Sequence, residues 1–175
     1  TGGQLCVMAS EENESVIPIP EEFPCGKYAM LFDPLDGSSN IEANVTIGTV
    51  FSIFRRVSDG CRGTERDVVQ PGVKQVAAGY IMYGSSTIMV FTTGNGVQGF
   101  TLDPTIGSFL LSHGNMKIPA HGNIYSVNEG NREMWDEGFR RYVAWLQQED
   151  DESGRPYKAR YVGSMVADIH RTLLY

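Results

Sequence analysis

Apolar runs in the first two thirds of the chain predict a sheet. Segments 5–9 and 27–32 are typical of buried strands, and the second leads directly into Asp33. β-Branched and aromatic residues concentrate in segment 46–56, which favours a long strand. Shorter apolar segments separated by turn residues then predict an antiparallel meander. These further strands are 75–83, 87–93, 97–102 and 108–112.

The pattern changes after about residue 120. Short strands are predicted at 123–127 and 158–162, and a helix is predicted for segment 164–175. Another helix follows Asn131, which is a suitable N-cap residue. The residues that fall on the apolar face of this helix are Trp135, Phe139, Tyr142, Val143 and Leu146.

Together these elements predict an α/β protein. The change of pattern suggests a boundary near 115–122, so that residues 1–120 form one domain and 121–175 begin another. Segment 57–73 is polar and rich in turn residues, and it is predicted to be a mobile loop.

Composition narrows the function. With 41% hydrophobic and 20% charged residues, the 175-residue chain is typical of soluble globular proteins. The chain has 14 Lys and Arg against 21 Asp and Glu, which disfavours nucleic acid as a partner. No apolar run is long enough to span a membrane, and no signal peptide opens the chain.

Cysteine and histidine usage disfavours a disulfide-stabilised protein and a zinc hydrolase. Cys6, Cys25 and Cys61 lack CxxC spacing and a disulfide pattern, so reduced thiols in the cytoplasm are expected. Three histidines without HExxH disfavour a zinc hydrolase. Thr1 stands in place of Met, which suggests a piece cut from a longer protein.

The strongest chemical signal is the run Asp33-Pro34-Leu35-Asp36-Gly37-Ser38-Ser39-Asn40, which follows an apolar strand. Pro34 fixes the backbone between the two acids, so both carboxylates are able to face one hard cation. A carbonyl between them is a natural additional ligand. The following Gly37-Ser38-Ser39 segment offers successive N–H groups and hydroxyls, which suit phosphate oxygens. A turn that only caps a helix is the alternative reading.

A second acidic pair, Glu11 and Glu12, follows another predicted strand. Adjacent acids usually lie on a solvated surface. Beside Asp33 and Asp36, however, one of them is able to hold metal while the other accepts a proton from attacking water.

Five segments, in this order along the chain, resemble class I fructose-1,6-bisphosphatase. The Asp-Pro-Leu-Asp-Gly core alone is shared with the wider lithium-sensitive sugar and inositol phosphatases, whereas the last two segments are narrower signals. The five are Ala9-Ser10-Glu11-Glu12, Phe32 to Ile41, Val76 to Tyr80, Tyr125 to Gly130, and Arg160 to Arg171.

This resemblance implies a layered α/β sandwich and the hydrolysis of fructose 1,6-bisphosphate to fructose 6-phosphate. It implies roughly two or three Mg²⁺ ions, with Mn²⁺ or Zn²⁺ as substitutes. It further implies a cytoplasmic homotetramer built from dimers and inhibited by AMP.

Roles follow from the resemblance residue by residue. Metal ligands are Glu11, Asp33, the Leu35 carbonyl and Asp36, while Glu12 helps to activate water. The 1-phosphate pocket comprises Asp36, Gly37, Ser38 and Ser39. The 6-phosphate is held by Asn128, Tyr161 and Arg160, the last reaching into the neighbouring subunit, and the sugar lies against Gly163, Ser164 and Met165. The AMP pocket includes Lys27, Tyr28 and Arg55.

Two departures and two alternatives accompany this interpretation. Asn131 replaces a tyrosine of the animal enzymes, and further acids and the helices that complete the AMP site have no counterpart in these residues. A related phosphatase, acting on sedoheptulose bisphosphate or inositol phosphate, is the nearest alternative. A non-catalytic AMP-sensing or scaffold relative is the other, and the intact acids disfavour it.

Overall fold

The computed structural model describes residues 2–60 and 62–175. Cys61 lies outside the described residues, as does Thr1. The strands are β1 (Leu5–Ser10), β2 (Ile17–Pro18), β3 (Tyr28–Asp36), β4 (Ile47–Arg55), β5 (Gln75–Tyr83), β6 (Thr87–Thr92), β7 (Val97–Asp103), β8 (Ser108–Met116), β9 (Ile124–Tyr125) and β10 (Lys158–Ala159). The α-helices are α1 (Glu65–Val68), α2 (Glu137–Gln147) and α3 (Met165–Leu174), and 3₁₀ turns span Ser38–Asn40, Gly72–Lys74 and Glu129–Met134.

Eight strands form one sheet in the order β2-β1-β3-β4-β5-β6-β7-β8. From β3 to β8 every neighbouring pair is antiparallel, which confirms the predicted meander. β1 is the exception because it runs parallel to β3, so the carboxyl ends of these two strands lie at the same edge. A parallel pair, β9 and β10, forms a separate small sheet.

Helices α1 and α3 pack on the same face of the large sheet. Val166 of α3 is 1% exposed and packs in a cluster with Tyr80, Val90 and Met116. Val68 of α1 packs against residues of β1 and β3 further along that face. The strand register places both clusters on one side, because alternate side chains of a strand share a face. The predicted α/β class is confirmed.

Helix α3 is fixed to the sheet by a buried polar contact. His170 Nδ1 lies 2.9 Å from the hydroxyl oxygen of Tyr80, and burial lowers the pKa of His170, with the nearby His113 adding to the effect. Burial also raises the pKa of Tyr80 above its ordinary value. Leu173 and Leu174 pack against the same cluster. Contacts from Val166 at the start of α3 to Leu174 at its end therefore hold the helix on the sheet.

Among the residues that the structure describes, the predicted loop at 57–73 contains the short helix α1 and the start of a 3₁₀ turn, while its mobility stays a prediction. Asp67 of α1 is fully buried and accepts hydrogen bonds from the backbone N–H groups of Val57 and Ser58, at 2.7 and 2.8 Å. It also accepts from the Ser58 hydroxyl and the Thr64 N–H, both at 2.7 Å. Burial by itself raises the pKa of Asp67, but these donors outweigh it and lower the pKa to about 2.

Three local predictions also needed correction. Asn131 does not cap the amphipathic helix: α2 begins later, and Asp136 caps it by accepting from the Phe139 N–H at 3.0 Å. Trp135 therefore precedes the helix. The predicted strands at 123–127 and 158–162 shorten to two residues each, and β8 extends to Met116. The 3₁₀ turn Glu129–Met134 includes Asn131 and has Trp135 as its C-cap, so α2 starts at the next capping residue, Asp136.

Candidate active site

The acids of the Asp33–Asn40 run begin inside β3, where the pairing with β4 is irregular. The register shifts between Asp33 and Asp36, so these residues form a bulge and do not follow the end of the strand as the sequence predicted. Pro34 has no N–H for the ladder, which explains the break. The Asp33 Oδ1 accepts from the Leu35 N–H at 2.8 Å, and the Thr49 hydroxyl donates to the Pro34 carbonyl at 2.8 Å. The bulge is thereby fixed without ladder bonds.

Gly37 turns the chain out of the strand. Its φ of 80° lies in the left-handed region, which a side chain would strain. A Cβ at Gly37 would also lie 3.1 Å from the Cβ of Ser164. The next residues, Ser38–Asn40, form one 3₁₀ turn, and both serines are exposed. A left-handed residue followed by a helical turn directs successive N–H groups to one side, which is the arrangement of an anion-binding nest.

Parallel pairing of β1 with β3 places Glu11 beside Asp33. Ser10 is the register partner of Phe32, and the Glu11 N–H donates to the Phe32 carbonyl at 3.1 Å. Both acids line a cavity of about 330 Å³, into which Met165 also projects. Glu12 is the next residue and is exposed.

Asp36 contacts the N-terminus of α3. Its Oδ2 accepts from the Val166 N–H at 2.8 Å and from the Ser164 hydroxyl at 3.3 Å. Ser164 is the N-cap residue but its own side chain caps no helical N–H. Asp36 therefore supplies the cap from 130 residues away, and the positive end of the helix favours its negative charge.

A larger cavity is lined by Asp36 and shares Met165 with the first. It has a volume of about 670 Å³ and brings together five of the predicted site residues. These five are Asp36, Tyr161, Gly163, Ser164 and Met165. Ser126 and Asp168 line it as well, and Asp168 is ion-paired with Arg171.

Two predicted phosphate ligands are exposed near this cavity without lining it. Asn128 caps the 3₁₀ turn Glu129–Met134, its Oδ1 accepting from the Gly130 N–H at 3.0 Å. Arg160 is placed by its backbone, whose N–H donates to the Tyr125 carbonyl at 2.9 Å. Their neighbours in sequence, Ser126 and Tyr161, line the cavity.

Lys27, Tyr28 and Arg55 lie at the opposite end of the β3–β4 pair. Tyr28 and Arg55 are register partners, and the Arg55 guanidinium carbon is 5.6 Å from the centre of the Tyr28 ring. The Lys27 carbonyl accepts from the Arg56 N–H at 2.9 Å. Arg55 also lines a cleft of about 610 Å³ that includes Arg66 and Lys74.

The acids do not form a complete metal centre by themselves. Among the residues that the structure describes, no group of three or more His, Cys, Asp or Glu side chains is arranged to hold a metal ion. Glu11 and Asp33 share one cavity, whereas Asp36 lies at the next. Carboxylate oxygens are still the donors that a hard cation prefers, so the residues fit part of a magnesium site.

Comparison with known proteins identifies the family. Residues 1–114 match the family model described as the fructose-1-6-bisphosphatase N-terminal domain, and residues 118–175 match the corresponding C-terminal domain. The chain therefore belongs to the fructose-1,6-bisphosphatase family.

Curated relatives and solved structures agree with this assignment. The class 1 fructose-1,6-bisphosphatase of Chloroherpeton thalassium is 61% identical over 99% of this chain, and that of Maridesulfovibrio salexigens is 60% identical. The holo crystal structure of the Leishmania major fructose-1,6-bisphosphatase is 46% identical, with a TM-score of 0.90 over 99% of this chain. The chain spans 50% and 52% of the two curated relatives and 55% of the solved structure, which is about half their length.

Sequence reasoning missed two residues that the structure brings to the site. Asn40 donates from Nδ2 to the Gly163 carbonyl at 3.1 Å, and Asp168 lines the larger cavity. Asn40 was part of the motif, but nothing in a local pattern indicates a contact with a residue 123 positions later. Asp168 was not among the predicted site residues, and it is also ion-paired with Arg171 of the same helix.

Proposed function

We propose that the protein containing this chain hydrolyses the 1-phosphate of fructose 1,6-bisphosphate and releases fructose 6-phosphate, a gluconeogenic step. The main support is the contact between the Asp36–Asn40 turn and segment 163–166. Through this contact the turn adjoins the cavity lined by Tyr161 and Met165, and a turn of this kind suits phosphate oxygens. Family membership supports the same activity.

We assign Glu11, Asp33, the Leu35 carbonyl and Asp36 as ligands for Mg²⁺. The cavity shared by Glu11 and Asp33 supports this, and so does the fixed Asp36 carboxylate, of which only Oδ2 takes part in the described contacts with α3. When bound, Mg²⁺ neutralises negative charge that develops on the phosphoryl group, and Mn²⁺ or Zn²⁺ is expected to substitute. The described side chains do not complete the site, so further donors are required.

The remaining chemistry is assigned to this chain's own groups. Glu12 takes a proton from the attacking water at its carboxylate, which lies exposed beside Glu11. The N–H groups of the Gly37–Ser39 turn and the two serine hydroxyls hold the 1-phosphate as it departs. Preorganised donors of this kind need no reorganisation when charge develops, which is why they accelerate the reaction.

The second phosphate determines the substrate. Asn128, Arg160 and Tyr161 are proposed to bind the 6-phosphate at the cavity rim, and Gly163, Ser164 and Met165 form the wall along the sugar. Tyr161 is 54% exposed, which leaves its hydroxyl accessible to a ligand. An arginine–phosphate contact is charge-assisted and therefore discriminates well between a bisphosphate and a monophosphate.

AMP is proposed as an inhibitor that binds at Lys27, Tyr28 and Arg55. The cation–π contact of Arg55 with Tyr28 and the neighbouring cations Arg66 and Lys74 support an anionic ligand at this end of the hairpin. Binding there is able to affect the acids because β3 joins Tyr28 directly to Asp33 and Asp36.

The wider setting is also a proposal. A homotetramer built from dimers is proposed, with Arg160 reaching into the 6-phosphate site of the neighbouring subunit. Its exposure is consistent with such a contact. The cytoplasm is the proposed location, in keeping with the free thiols of Cys6 and Cys25. None of the described helices is long and apolar enough to cross a membrane.

A phosphate-release assay on the longest natural chain that contains these residues tests the proposal. Release from fructose 1,6-bisphosphate that depends on Mg²⁺ and exceeds release from sedoheptulose 1,7-bisphosphate and inositol 1-phosphate is the expected result. A preference for either of the other substrates would assign the protein to a related phosphatase. No release from any of the three would contradict a catalytic role.

A further inference from the structure

The Asn40 side chain links the two halves of the candidate site. Its Nδ2 donates to the Gly163 carbonyl at 3.1 Å, across 123 residues of sequence. Asn40 ends the turn assigned to the 1-phosphate, and Gly163 belongs to the segment assigned to the sugar. No role has been given to Asn40 in the function proposed above.

The turn itself does not need this side chain. The Asn40 N–H donates to the Gly37 carbonyl at 2.8 Å, and the Asn40 carbonyl accepts from the N–H groups of Ala43 and Val45 at 3.2 and 3.3 Å. All of these bonds are made by backbone atoms. The amide group is therefore available for the long-range contact, and its loss leaves the local turn intact.

Gly163 is the point where the sugar-binding segment changes direction. Its φ of 78° is left-handed, and it stands directly before the N-cap of α3. A Cβ at this position would lie 3.8 Å from the hydroxyl oxygen of Tyr161, so the tyrosine hydroxyl lies near the bend. The Asn40 contact therefore fixes the backbone two residues after Tyr161.

A second contact makes this restraint effective. Asp36, at the other end of the same turn, accepts from the Val166 N–H at 2.8 Å. The turn thus holds segment 163–166 at two points, one at Gly163 and one at the first turn of α3. The contacts of Asp36 and the packing of Val166 fix the first turn of α3, and the Asn40 contact holds the backbone of Gly163 just before it.

We infer that Asn40 is a positioning residue that sets the distance between the 1-phosphate turn and the 6-phosphate group at Tyr161, and so sets selectivity for a sugar bisphosphate over a monophosphate. This inference rests on the proposed function. Asn40 acts through the Gly163 carbonyl and touches no reacting atom. Its loss affects a substrate that must reach both phosphate sites, while a substrate held only at the 1-phosphate does not depend on it.

The test compares Asn40→Ser and Asn40→Asp with the unsubstituted protein, in the longest natural chain that contains these residues. Serine is too short to reach Gly163, and aspartate has the shape of asparagine but opposes a carboxylate to the carbonyl. We expect kcat/KM for fructose 1,6-bisphosphate to fall by about 5- to 10-fold, mostly through KM, for loss of one hydrogen bond. For fructose 1-phosphate the expected change is less than about 2-fold.

Glu42→Gln supplies a matched control, because Glu42 is exposed and lies two residues after Asn40. The double variant Asn40→Asp with Glu42→Gln keeps the charge of the turn unchanged, and it is expected to remain as impaired as Asn40→Asp. Recovery in the double variant would show a general charge effect and overturn the inference. Equal losses toward both substrates would also overturn it, since they indicate a purely structural role.

Failure of a variant to fold, failure of the proposed function and failure of this inference give different results. If Asn40→Asp does not fold, the uncharged Asn40→Ser variant provides the test. The ratio of kcat/KM for fructose 1,6-bisphosphate to kcat/KM for fructose 1-phosphate is compared in the same way. If the unsubstituted protein releases no phosphate from the bisphosphate, the proposed function and this inference fail together. An active protein with an unchanged ratio rejects the inference alone.

Discussion

The backbone N–H of Val166 donates to Oδ2 of Asp36 at 2.8 Å, which joins a proposed metal ligand to the N-terminus of α3. Oδ2 of Asp36 is thereby engaged in a contact that holds the helix. The proposed ligand is fixed in place by a helix that packs along the sheet through Val166 and His170. The position of Asp36 thus depends on residues from both matched family domains, residues 1–114 and 118–175.

Asp36→Asn is expected to remove most activity and to weaken the dependence on Mg²⁺. Loss of a ligand charge reduces affinity for a hard cation. Mutation of a residue that only supports a metal ligand typically lowers metal affinity or activity by roughly 10- to 100-fold, and loss of the ligand itself is expected to cost at least as much. The amide oxygen is still able to accept from Val166, so the melting temperature is expected to fall only slightly. Phosphate release over a Mg²⁺ titration measures the effect. Asp151→Asn, an exposed acid outside the site, is the control, and near-normal turnover of Asp36→Asn at ordinary Mg²⁺ contradicts the assignment.

Glu12→Gln is expected to lower kcat and to leave KM and Mg²⁺ affinity nearly unchanged. The amide fills the same space but is unable to accept a proton, and positioned bases typically contribute about 10²- to 10⁴-fold. Steady-state kinetics at saturating Mg²⁺ provide the measurement. Glu14→Gln, two residues later and also exposed, is the matched control. A change in KM or Mg²⁺ affinity with unaltered kcat would make Glu12 a ligand or a bystander.

Arg160→Ala is expected to raise KM for fructose 1,6-bisphosphate far more than for a monophosphorylated analogue. A lost hydrogen bond to a charged group costs about 1.5–3 kcal/mol. Arg141→Ala controls for the loss of an exposed arginine. Arg141 lies on the surface of α2, where it pairs with Glu137. Equal effects on both substrates would mean that Arg160 does not bind the second phosphate.

Subunit mixing tests the shared site separately. An Arg160→Ala subunit paired with an Asp36→Asn subunit is expected to recover part of the activity that each lacks alone, because each supplies the group that the other has lost. Activity of the mixture equal to the sum of the separate variants would exclude a contribution of Arg160 to its neighbour.

Asp67→Asn is expected to destabilise the chain at neutral pH. Because the folded pKa, about 2, is depressed below the ordinary value of 3.8, the ionised Asp67 stabilises the fold above about pH 4. This contribution, about 2 kcal/mol, is lost as the pH falls from about 4 to about 2. Denaturant unfolding at pH 7 and at acid pH provides the measurement. The difference between the variant and the parent is expected to narrow at low pH, and an equal difference at both pH values would contradict this account.

Residues 1–175 alone are expected to lack Mg²⁺-dependent hydrolysis of fructose 1,6-bisphosphate. The described residues contain no group of three potential ligands arranged for a metal, and the chain spans about half the length of its curated relatives. Expression of these residues, a thermal melt and a phosphate-release assay test the expectation together. A cooperatively folded chain with full turnover would show that its acids are sufficient.

Much of the secondary structure followed from the sequence because its causes are local. Alternating apolar positions and turn residues predicted the strands of the meander, and Gly37 suits its left-handed φ for a steric reason that lies within one residue. The start of α2 was misplaced because two polar residues, Asn131 and Asp136, compete for the cap, and sequence alone does not rank them.

The chemical character of the site was also present in the sequence. The octapeptide Asp33 to Asn40 and the pair Glu11 and Glu12 specify oxygen donors and a phosphate-binding type of turn, whatever surrounds them. Parallel pairing of β1 and β3 then brings Glu11 to Asp33, a relation that strand patterns suggest but do not establish.

Only the tertiary structure decided which distant residues meet. The contacts of Asp36 with Val166 and of Asn40 with Gly163 span more than 120 residues, and the buried Asp67 belongs to a short helix within the predicted loop at 57–73. Such contacts arise when helices pack on a sheet and buried polar groups find their partners. The sequence by itself thus determined the kinds of groups in the site, and packing determined their positions, because a local pattern holds no information about separations through space.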